Sequence, residues 1–277
     1  MTSSALDSIL ASARQRLFQR QRTVDLRSLG RAAERHSPRA FRKQLERVSR
    51  TGIAIIAELK KASPSKGLIR ADFWPSDLAR ELAAAGAAAL SVLTEEEYFQ
   101  GSLNYLQEAS AAVSLPCLRK DFIFDEFQIV EARAHGADAI LLIVAALDQS
   151  ELVSLCGKAR AHQLDVLCEA HSEEDLKRAL DAGCDIIGIN SRDLRTLEVD
   201  LETPFRLADK VPDACLAVAE SGIQSGSDLA RLRAAGYDAF LIGESLMKER
   251  SPGAALTKLV QESQSRIRPV KMGAESE

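Results

Sequence analysis

The sequence predicts an α/β protein that folds as a single (β/α)8 TIM barrel with an N-terminal helical extension. Eight short apolar segments alternate with helical segments, an order that produces a parallel sheet. Four helices end in a similar way, with a glycine before the next apolar run, at Gly86, Gly136, Gly183 and Gly236. Polar residues follow the apolar segments at their carboxyl ends. A closed barrel gathers all such ends at one rim, whereas an open sheet would gather ligand-facing groups at one switch point.

The extension is expected to comprise residues 1–48 and to pack on the barrel as two amphipathic helices. The first has apolar residues at three- and four-residue spacing, namely Leu6, Ile9, Leu10, Ala13 and Leu17. The second follows a break at residues 37–38 and carries Phe41, Leu45 and Val48 on its apolar face. The arginine-rich polar face is interpreted as solvated, and an element that binds a partner or an anionic surface is the alternative.

The barrel is expected to span residues 49–264, and residues 265–277 are expected to form a flexible tail. Apolar and β-branched residues mark eight strands, at residues 54–60, 88–94, 117–121, 139–144, 165–169, 186–190, 215–220 and 239–243. Helical patterns lie between them, at residues 75–85, 125–135, 150–162, 172–182 and 225–235, and a last helix follows Pro252. The repeated glycines are about fifty residues apart, so each strand–helix unit takes about twenty-five residues.

Composition excludes several classes of function. A formal net charge of -4 gives no reason to expect nucleic-acid binding. No apolar run approaches the roughly 20 residues of a membrane span, and no secretory segment is visible, so we expect a cytoplasmic protein without membrane contact. The five cysteines form no CxxC pair, which predicts reduced, buried thiols without a zinc site or a disulfide.

The stretch from residue 53 to residue 67 carries the first candidate site. Glu58 and Lys60 interrupt its apolar run near the carboxyl end, and strand alternation places both side chains on one face. A salt bridge that closes the end of a sheet would explain this pair as well. Lys120 and Glu169 stand at the ends of two further buried strands. Because unpaired buried charges are costly, these residues predict a shared polar cavity that is suited to acid–base chemistry.

Small residues follow the last two strands, in Glu220-Ser221-Gly222 and in Gly243-Glu244. Both segments precede a predicted helix, so their backbone N–H groups and the helix dipole favour an anion. Either segment alone is weak evidence, because glycine in a turn is usually only a turn. On the last two strands of a barrel, the two segments together predict a phosphate site.

Several motifs occur in order along the chain, namely IIAELKKASPSKG, LRKDFI, EAH, GINSRDL, AESGI and LIGESLM. In this order and at these barrel positions they resemble the indole-3-glycerol-phosphate synthase family, from about Leu6 to about Leu259. The resemblance implies a decarboxylating lyase of tryptophan biosynthesis. Its reaction closes the indole ring of 1-(2-carboxyphenylamino)-1-deoxyribulose 5-phosphate with loss of carbon dioxide and water. The resemblance implies a small phosphorylated substrate and no cofactor or metal, and we expect a monomer.

The resemblance also implies catalytic roles. Lys120 would be the general acid, and Glu169 the base or the stabiliser of a cationic intermediate. Lys60, positioned by Glu58, would be the second cation, and the roles of the two lysines could be exchanged. The remaining catalytic positions hold hydroxyl or intermediate groups or shape the site: Asn190, Glu220 and Ser221.

Further positions would bind the substrate. Arg192 is expected to orient the anthranilate carboxylate, because a guanidinium can engage both oxygens. Phe122 and Leu194 would pack against the aromatic ring, although ordinary core packing is an alternative for Phe122. Ser63, in the loop after the first strand, would contact substrate. The phosphate would receive backbone N–H groups from Gly222, Gly243 and Glu244, the last of which is serine in some members.

Two other functions fit the fold. One is the barrel isomerase that acts on phosphoribosyl anthranilate, which uses a cysteine and an aspartate where this chain offers lysines and glutamates. The other is a non-catalytic barrel that binds a phosphorylated metabolite or a protein. His171, two residues after Glu169, is interpreted as structural, and the four histidines show no metal-ligand spacing.

Overall fold

The computed structural model describes residues 4–267 and confirms the predicted closed barrel of eight parallel strands. The barrel strands are β1 (Ala54–Leu59), β4 (Ala89–Leu93), β5 (Cys117–Lys120), β6 (Ala139–Ile143), β7 (Asp165–Ala170), β8 (Ile186–Asn190), β9 (Leu216–Glu220) and β10 (Ala239–Ile242). β1 pairs with β10 and closes the sheet. Each strand lies within one residue of its predicted bounds. The sequence did not predict a short antiparallel hairpin in the loop after β1, formed by β2 (Ala62–Ser63) and β3 (Gly67–Leu68).

The extension contains three helices where two were predicted: α1 (Ala5–Thr23), α2 (Leu26–Arg35) and α3 (Phe41–Ser49). The missed helix, α2, begins at Asp25, whose side chain accepts hydrogen bonds from the N–H groups of Arg27 and Ser28. It buries only Leu29 and Ala33, so its apolar stripe is too short to stand out in the sequence.

Helices cover the outside of the barrel: α4 (Pro75–Ala84), α5 (Leu103–Ala112), α6 (Glu126–Ala134), α7 (Gln149–Ala161), α8 (Glu173–Asp181), α9 (Thr203–Leu207), α10 (Gly226–Ala234), α11 (Glu244–Met247) and α12 (Pro252–Ile267). The repeated glycines have positive φ, as expected of residues that end helices. α12 continues past residue 265, where a tail was expected, and residues 268–277 of that tail lie outside the described residues. Between residues 4 and 267, no helix has the length and apolarity to cross a membrane.

Two apolar layers result from the alternation of side chains along the strands. Inward-facing residues such as Ile56, Leu118 and Leu167 fill the lower part of the barrel, which is the part away from the carboxyl ends of the strands. α3 closes the lower end of the barrel, because Phe41 and Leu45 are fully buried against this inner cluster. Outward-facing residues pack beneath the helices. Polar inward positions are therefore concentrated at the carboxyl ends of the strands.

The prediction that no disulfide forms was wrong. Cys168 of β7 and Cys184, just before β8, are joined, with their Cα atoms 6.4 Å apart. Strand register explains the pairing, because Leu167 lies beside Ile186 and this brings the start of β8 against β7. Spacing along the chain does not reveal that register. Cys117 and Cys156 are free and buried, as predicted, and Cys215 is free but only partly buried.

Candidate active site

A cavity of about 370 Å³ opens at the rim where the barrel strands end, a size within the range of small-molecule sites. The structure brings together around it every site residue that the sequence predicted: Glu58, Lys60, Ser63, Lys120, Phe122, Glu169, Asn190, Arg192, Leu194, Glu220, Ser221, Gly222, Gly243 and Glu244. They meet because each follows, or ends, a strand of one closed barrel.

Lys120 is the centre of a buried charge cluster. Its Nζ lies 2.9 Å from Oε2 of Glu169 and 3.5 Å from Oε2 of Glu220. Both carboxylates are almost completely buried, at 0% and 1% exposure. β5, β7 and β9 present these side chains inward while their alternate residues pack outward beneath the helices. One ammonium is therefore shared by two carboxylates on two other strands.

Burial and charge give these groups different protonation states. Burial disfavours the Lys120 ammonium, but the neighbouring carboxylates, Glu169 first among them, raise the pKa of Lys120 above its usual value. Burial acts to raise the pKa of Glu169, but Lys120 and then His171 lower it well below its usual range. Burial raises the pKa of Glu220 to about 8, against the attraction of Lys120. Near neutral pH the cluster therefore holds a charged Lys120–Glu169 pair beside a protonated Glu220.

Glu220 has free hydrogen-bonding capacity. Neither of its side-chain oxygens has a hydrogen-bond partner among the described residues, although both are buried. Its Oε2 is in ion-pair contact with the Lys120 ammonium at 3.5 Å. Buried polar groups are normally hydrogen-bonded as well, so the carboxyl group suits a ligand with polar hydrogens or oxygens in the cavity that it lines.

His171 contacts this cluster, which the sequence did not predict. Its Nε2 lies 3.3 Å from Oε1 of Glu169. Burial opposes a charged imidazole, but the contact with Glu169 raises the pKa of His171 overall. Glu169 thus lies between two cationic groups, one of them inside the cavity and the other behind it. The available signal is a histidine two residues beyond a strand glutamate, a pattern for which a structural interpretation is the simpler one.

Glu58 and Lys60 form a second pair at the rim, with Oε1 of Glu58 2.7 Å from Nζ of Lys60. Glu58 is buried, at 3% exposure, and both residues line the cavity. The two interpretations of this pair, a salt bridge and a site component, are therefore compatible.

Arg192, in the loop after β8, contacts the loop after β1 and the segment after β10 at the mouth of the cavity. Its guanidinium donates to the carbonyl oxygen of Leu197 at 2.9 Å and to Oγ of Ser65 at 3.4 Å. It also lies 3.6 Å from a carboxylate oxygen of Glu244. Asn190 supports this arrangement, because its Oδ1 accepts a hydrogen bond from the backbone N–H of Arg192 at 2.9 Å.

The predicted phosphate segments lie side by side at one end of the cavity. Ser221 and Gly222 have consecutive positive φ values of 65° and 76°, an uncommon conformation for serine and one that is concentrated at functional sites. Ser245 ties the two segments together by donating from its hydroxyl to the carbonyl oxygen of Ile223 at 3.1 Å. Lys248, which the sequence did not identify, adds a cation to the lining.

The N-terminal extension also reaches the cavity. Ile9 of α1 lines it, and Arg16 of the same helix forms an ion pair with Glu95 in the loop after β4. That carboxylate accepts a hydrogen bond from the backbone N–H of Phe99 at 3.1 Å. The ring of Phe99 in turn lies 6.4 Å, centroid to centroid, from that of Phe122. The sequence identified only one of these two aromatic rings, because Phe99 lies in a loop without periodicity.

Metal-ligand geometry occurs away from this cavity. Among residues 4–267, the sulfurs of Cys156, Cys168 and Cys184 lie within 4.8 Å of one another. All three are buried in the layer between strands and helices. Because two of these sulfurs are bonded to each other, the cluster offers no open ligand set.

Solved structures share this fold at low sequence identity. A mandelate oxidase structure matches with a TM-score of 0.60 and 19% identity over 87% of this chain and 92% of that chain. Thiamine phosphate pyrophosphorylase from Pyrococcus furiosus matches with a TM-score of 0.56 and 15% identity over 78% of this chain and 98% of that chain. At these identities the likeness concerns the fold alone.

The closed barrel and the buried lysine–glutamate cluster at its rim define a (β/α)8-barrel enzyme. The family model of indole-3-glycerol phosphate synthase matches residues 6–259. The Koribacter versatilis enzyme of that name is 55% identical over 258 residues, which cover 93% of this chain and 99% of the relative. The Burkholderia ambifaria enzyme is 46% identical over 258 residues, with the same coverage. The chain belongs to the indole-3-glycerol phosphate synthase family, carboxy-lyases of tryptophan biosynthesis with a phosphorylated substrate. The family predicted from the motifs is thereby confirmed.

Proposed function

We propose that this chain converts 1-(2-carboxyphenylamino)-1-deoxyribulose 5-phosphate to indole-3-glycerol phosphate by ring closure, decarboxylation and dehydration. The observation that carries the proposal is the Lys120 ammonium between Glu169 and Glu220, at 2.9 and 3.5 Å, in a cavity that also contains the two small-residue loops. Ring closure requires a proton donor at the ribulose carbonyl and negative groups near the cation that forms in the ring. Side chains of this cavity supply both, so the proposal includes no metal or cofactor.

Lys120 is the proposed general acid. Its ammonium is held charged by the surrounding carboxylates, so a proton is available over the whole physiological pH range. Glu169 is the proposed stabiliser of the cationic intermediate, and the base when the ring proton leaves. Its ionised state, maintained by Lys120 and His171, is the state that either role requires.

Lys60 is the proposed second cation and the acid for dehydration, with Glu58 orienting its ammonium from 2.7 Å. The two lysines line the same cavity, so an exchange of their roles is compatible with the geometry. Three further residues are proposed to hold substrate hydroxyl groups or to shape the catalytic centre: Asn190, Glu220 and Ser221.

Substrate binding is assigned to the mouth of the cavity. We assign the anthranilate carboxylate to Arg192 and the aromatic ring to Phe122 and Leu194, with Ser63 contacting substrate from the loop after β1. The backbone N–H groups proposed for the phosphate belong to Gly222, Gly243 and Glu244. Burial of Phe122 at 5% exposure, with its ring near Phe99, supports an aromatic wall there.

Residues 1–48 are proposed as an extension that assists closure over the substrate, residues 49–264 as the catalytic barrel and residues 265–277 as a tail. We propose a monomer, because the residues proposed for catalysis and for substrate binding all come from this chain and line one cavity. A cytoplasmic location is proposed with it, where a soluble biosynthetic substrate would be available.

The test is turnover of the carboxyphenylamino-deoxyribulose phosphate by the purified protein, followed by indole fluorescence. Lys120→Ala and Glu169→Gln should each lower kcat by about 10²–10⁴-fold while substrate binding persists. The matched control is Lys177→Ala, because Lys177 is exposed on α8 and pairs with Asp181 away from the cavity. It should leave kcat unchanged.

Two results would overturn the proposal. A wild-type protein that binds this substrate but does not turn it over would favour the non-catalytic barrel. Turnover of phosphoribosyl anthranilate in its place would favour the isomerase.

A further inference from the structure

Gly188 faces the interior of the barrel from the middle of β8. Parallel register places it beside Glu169 of β7 and Val218 of β9. It does not have the positive φ that marks several other glycines of the chain. The backbone conformation therefore does not require glycine at this position, and the reason for a glycine lies in the space around it.

The space above Gly188 is filled by a side chain from the next strand. A Cβ atom at this position would overlap Oε1 of Glu220 and would lie 3.2 Å from Cδ of Glu220 and from Cδ1 of Leu167. The overlapped atom belongs to a carboxyl group that is itself buried, at 1% exposure, so it cannot simply swing into solvent. The position of this carboxyl group and the missing side chain at position 188 are therefore linked.

We propose that Gly188 is a positioning residue, whose missing side chain leaves the gap from which the Glu220 carboxyl group reaches Lys120. The inference rests on the role proposed above for Glu220. A methyl group in this gap would displace the carboxyl group by about an ångström from the position in which it lies 3.5 Å from Lys120. A displacement of that size within a catalytic centre costs about 10²-fold in rate.

The same arrangement occurs two strands further round the barrel, where β10 pairs with β1. A Cβ atom at Gly243 would overlap Oε1 of Glu58 and would lie 3.0 Å from its Cβ and 3.1 Å from its Cδ. Gly243 also has a negative φ, of -127°. Each glycine thus makes room for a glutamate of the neighbouring strand, and each glutamate lies against a lysine. Gly243 lies in a proposed phosphate segment, so a substitution there would affect phosphate binding as well as the position of Glu58. A substitution at Gly188 tests the position of the neighbouring glutamate alone.

The first experiment is Gly188→Ala in the full chain. We expect kcat to fall about a hundredfold, while KM stays within about threefold because the phosphate and aromatic contacts are untouched. Gly157→Ala is the matched control, because Gly157 lies on the exposed side of α7 with nothing within 4 Å of an added Cβ. It should retain wild-type kcat.

A double-mutant cycle with Glu220→Ala supplies a second measurement, independent of catalysis. Gly188→Ala should lower the thermal midpoint in the wild-type background but lower it much less when Glu220 is already alanine, since the overlapping carboxyl group is then absent. If Gly188→Ala alone does not fold, recovery of folding in the double variant is the expected result.

The positioning role is wrong if Gly188→Ala retains full kcat, or if it lowers the midpoint equally in both backgrounds. Failure of both variants to fold would also contradict it. If Glu220→Ala itself keeps full turnover, the role proposed for Glu220 fails instead. The thermal midpoints of the double-mutant cycle then still test whether Gly188 makes room for the Glu220 carboxyl group.

Discussion

Nζ of Lys120 lies 2.9 Å from Oε2 of Glu169 inside the barrel, and the two side chains come from strands that are not neighbours in the sheet. Removing either partner would take the nearest counter-ion from the other buried charge, and breaking a buried ion pair costs about 3–5 kcal/mol in proteins. The pair neutralises itself, so the third group of the cluster, Glu220, gains little by ionising. The protonation state of Glu220 therefore governs how the cluster responds to pH.

Glu220→Gln should change how stability depends on pH. Burial raises the folded-state pKa of Glu220 from 4.5 to about 8, so its stabilising contribution is fully present below pH 4.5 and is lost as the pH rises through about 8. A glutamine stays neutral at every pH. The variant should match wild type at pH 4 and exceed its thermal midpoint by about 5 °C at pH 8.5. Thermal unfolding followed by circular dichroism at both pH values measures this difference.

Glu174→Gln is the matched control, because Glu174 is exposed on α8. Its midpoint should follow that of wild type at every pH. A difference between Glu220→Gln and wild type that does not change with pH would contradict a raised pKa for Glu220.

The sequence predicted those parts of the fold that depend on local pattern. β8, Ile186–Asn190, was located at its observed bounds because its apolar run and its turn residues are adjacent in the chain. The candidate site followed from the same reasoning, because barrel closure brings every strand end to one rim. Lys120 and Glu169 could thus be assigned to one cavity although 49 residues separate them.

Features that depend on register or on distances between loops were not predictable from local pattern. The gap at Gly188 exists only because Glu220 lies above it on the next strand. The disulfide of Cys168 and Cys184 depends on the same kind of register. Phe99 reaches the cavity through a loop that is held by the extension, and no periodicity marks such a residue.

Phe41→Ala should destabilise the protein strongly. The ring of Phe41 is fully buried where α3 closes the lower end of the barrel, so its removal leaves a cavity. Such substitutions cost about 3–5 kcal/mol, and the thermal midpoint should fall by about 10 °C. Phe18→Ala removes the same ring from α1, where Phe18 is 60% exposed, and should leave the midpoint nearly unchanged. Equal losses for the two variants, in thermal or urea unfolding, would show that α3 does not seal the barrel.

His171 extends the charge cluster beyond the cavity, with Nε2 3.3 Å from Oε1 of Glu169. The groups that act on its charge are three carboxylates, namely Glu169, Asp175 and Glu220. Glu169, although buried, is kept ionised first by Lys120 and then by His171, so His171 supplies part of the depression of its pKa.

His171→Asn should therefore raise the pKa of Glu169 and move the acidic limb of the kcat/KM profile to higher pH by about one unit. The shift has this sign because a neutral side chain no longer favours the carboxylate, so Glu169 takes up its proton at a higher pH. Activity above pH 8 should change little, since Lys120 alone keeps Glu169 ionised there. His162→Asn, at the end of α7, should reproduce the wild-type profile. If the acidic limb of His171→Asn coincides with that of wild type, His171 contributes packing and no charge to the site.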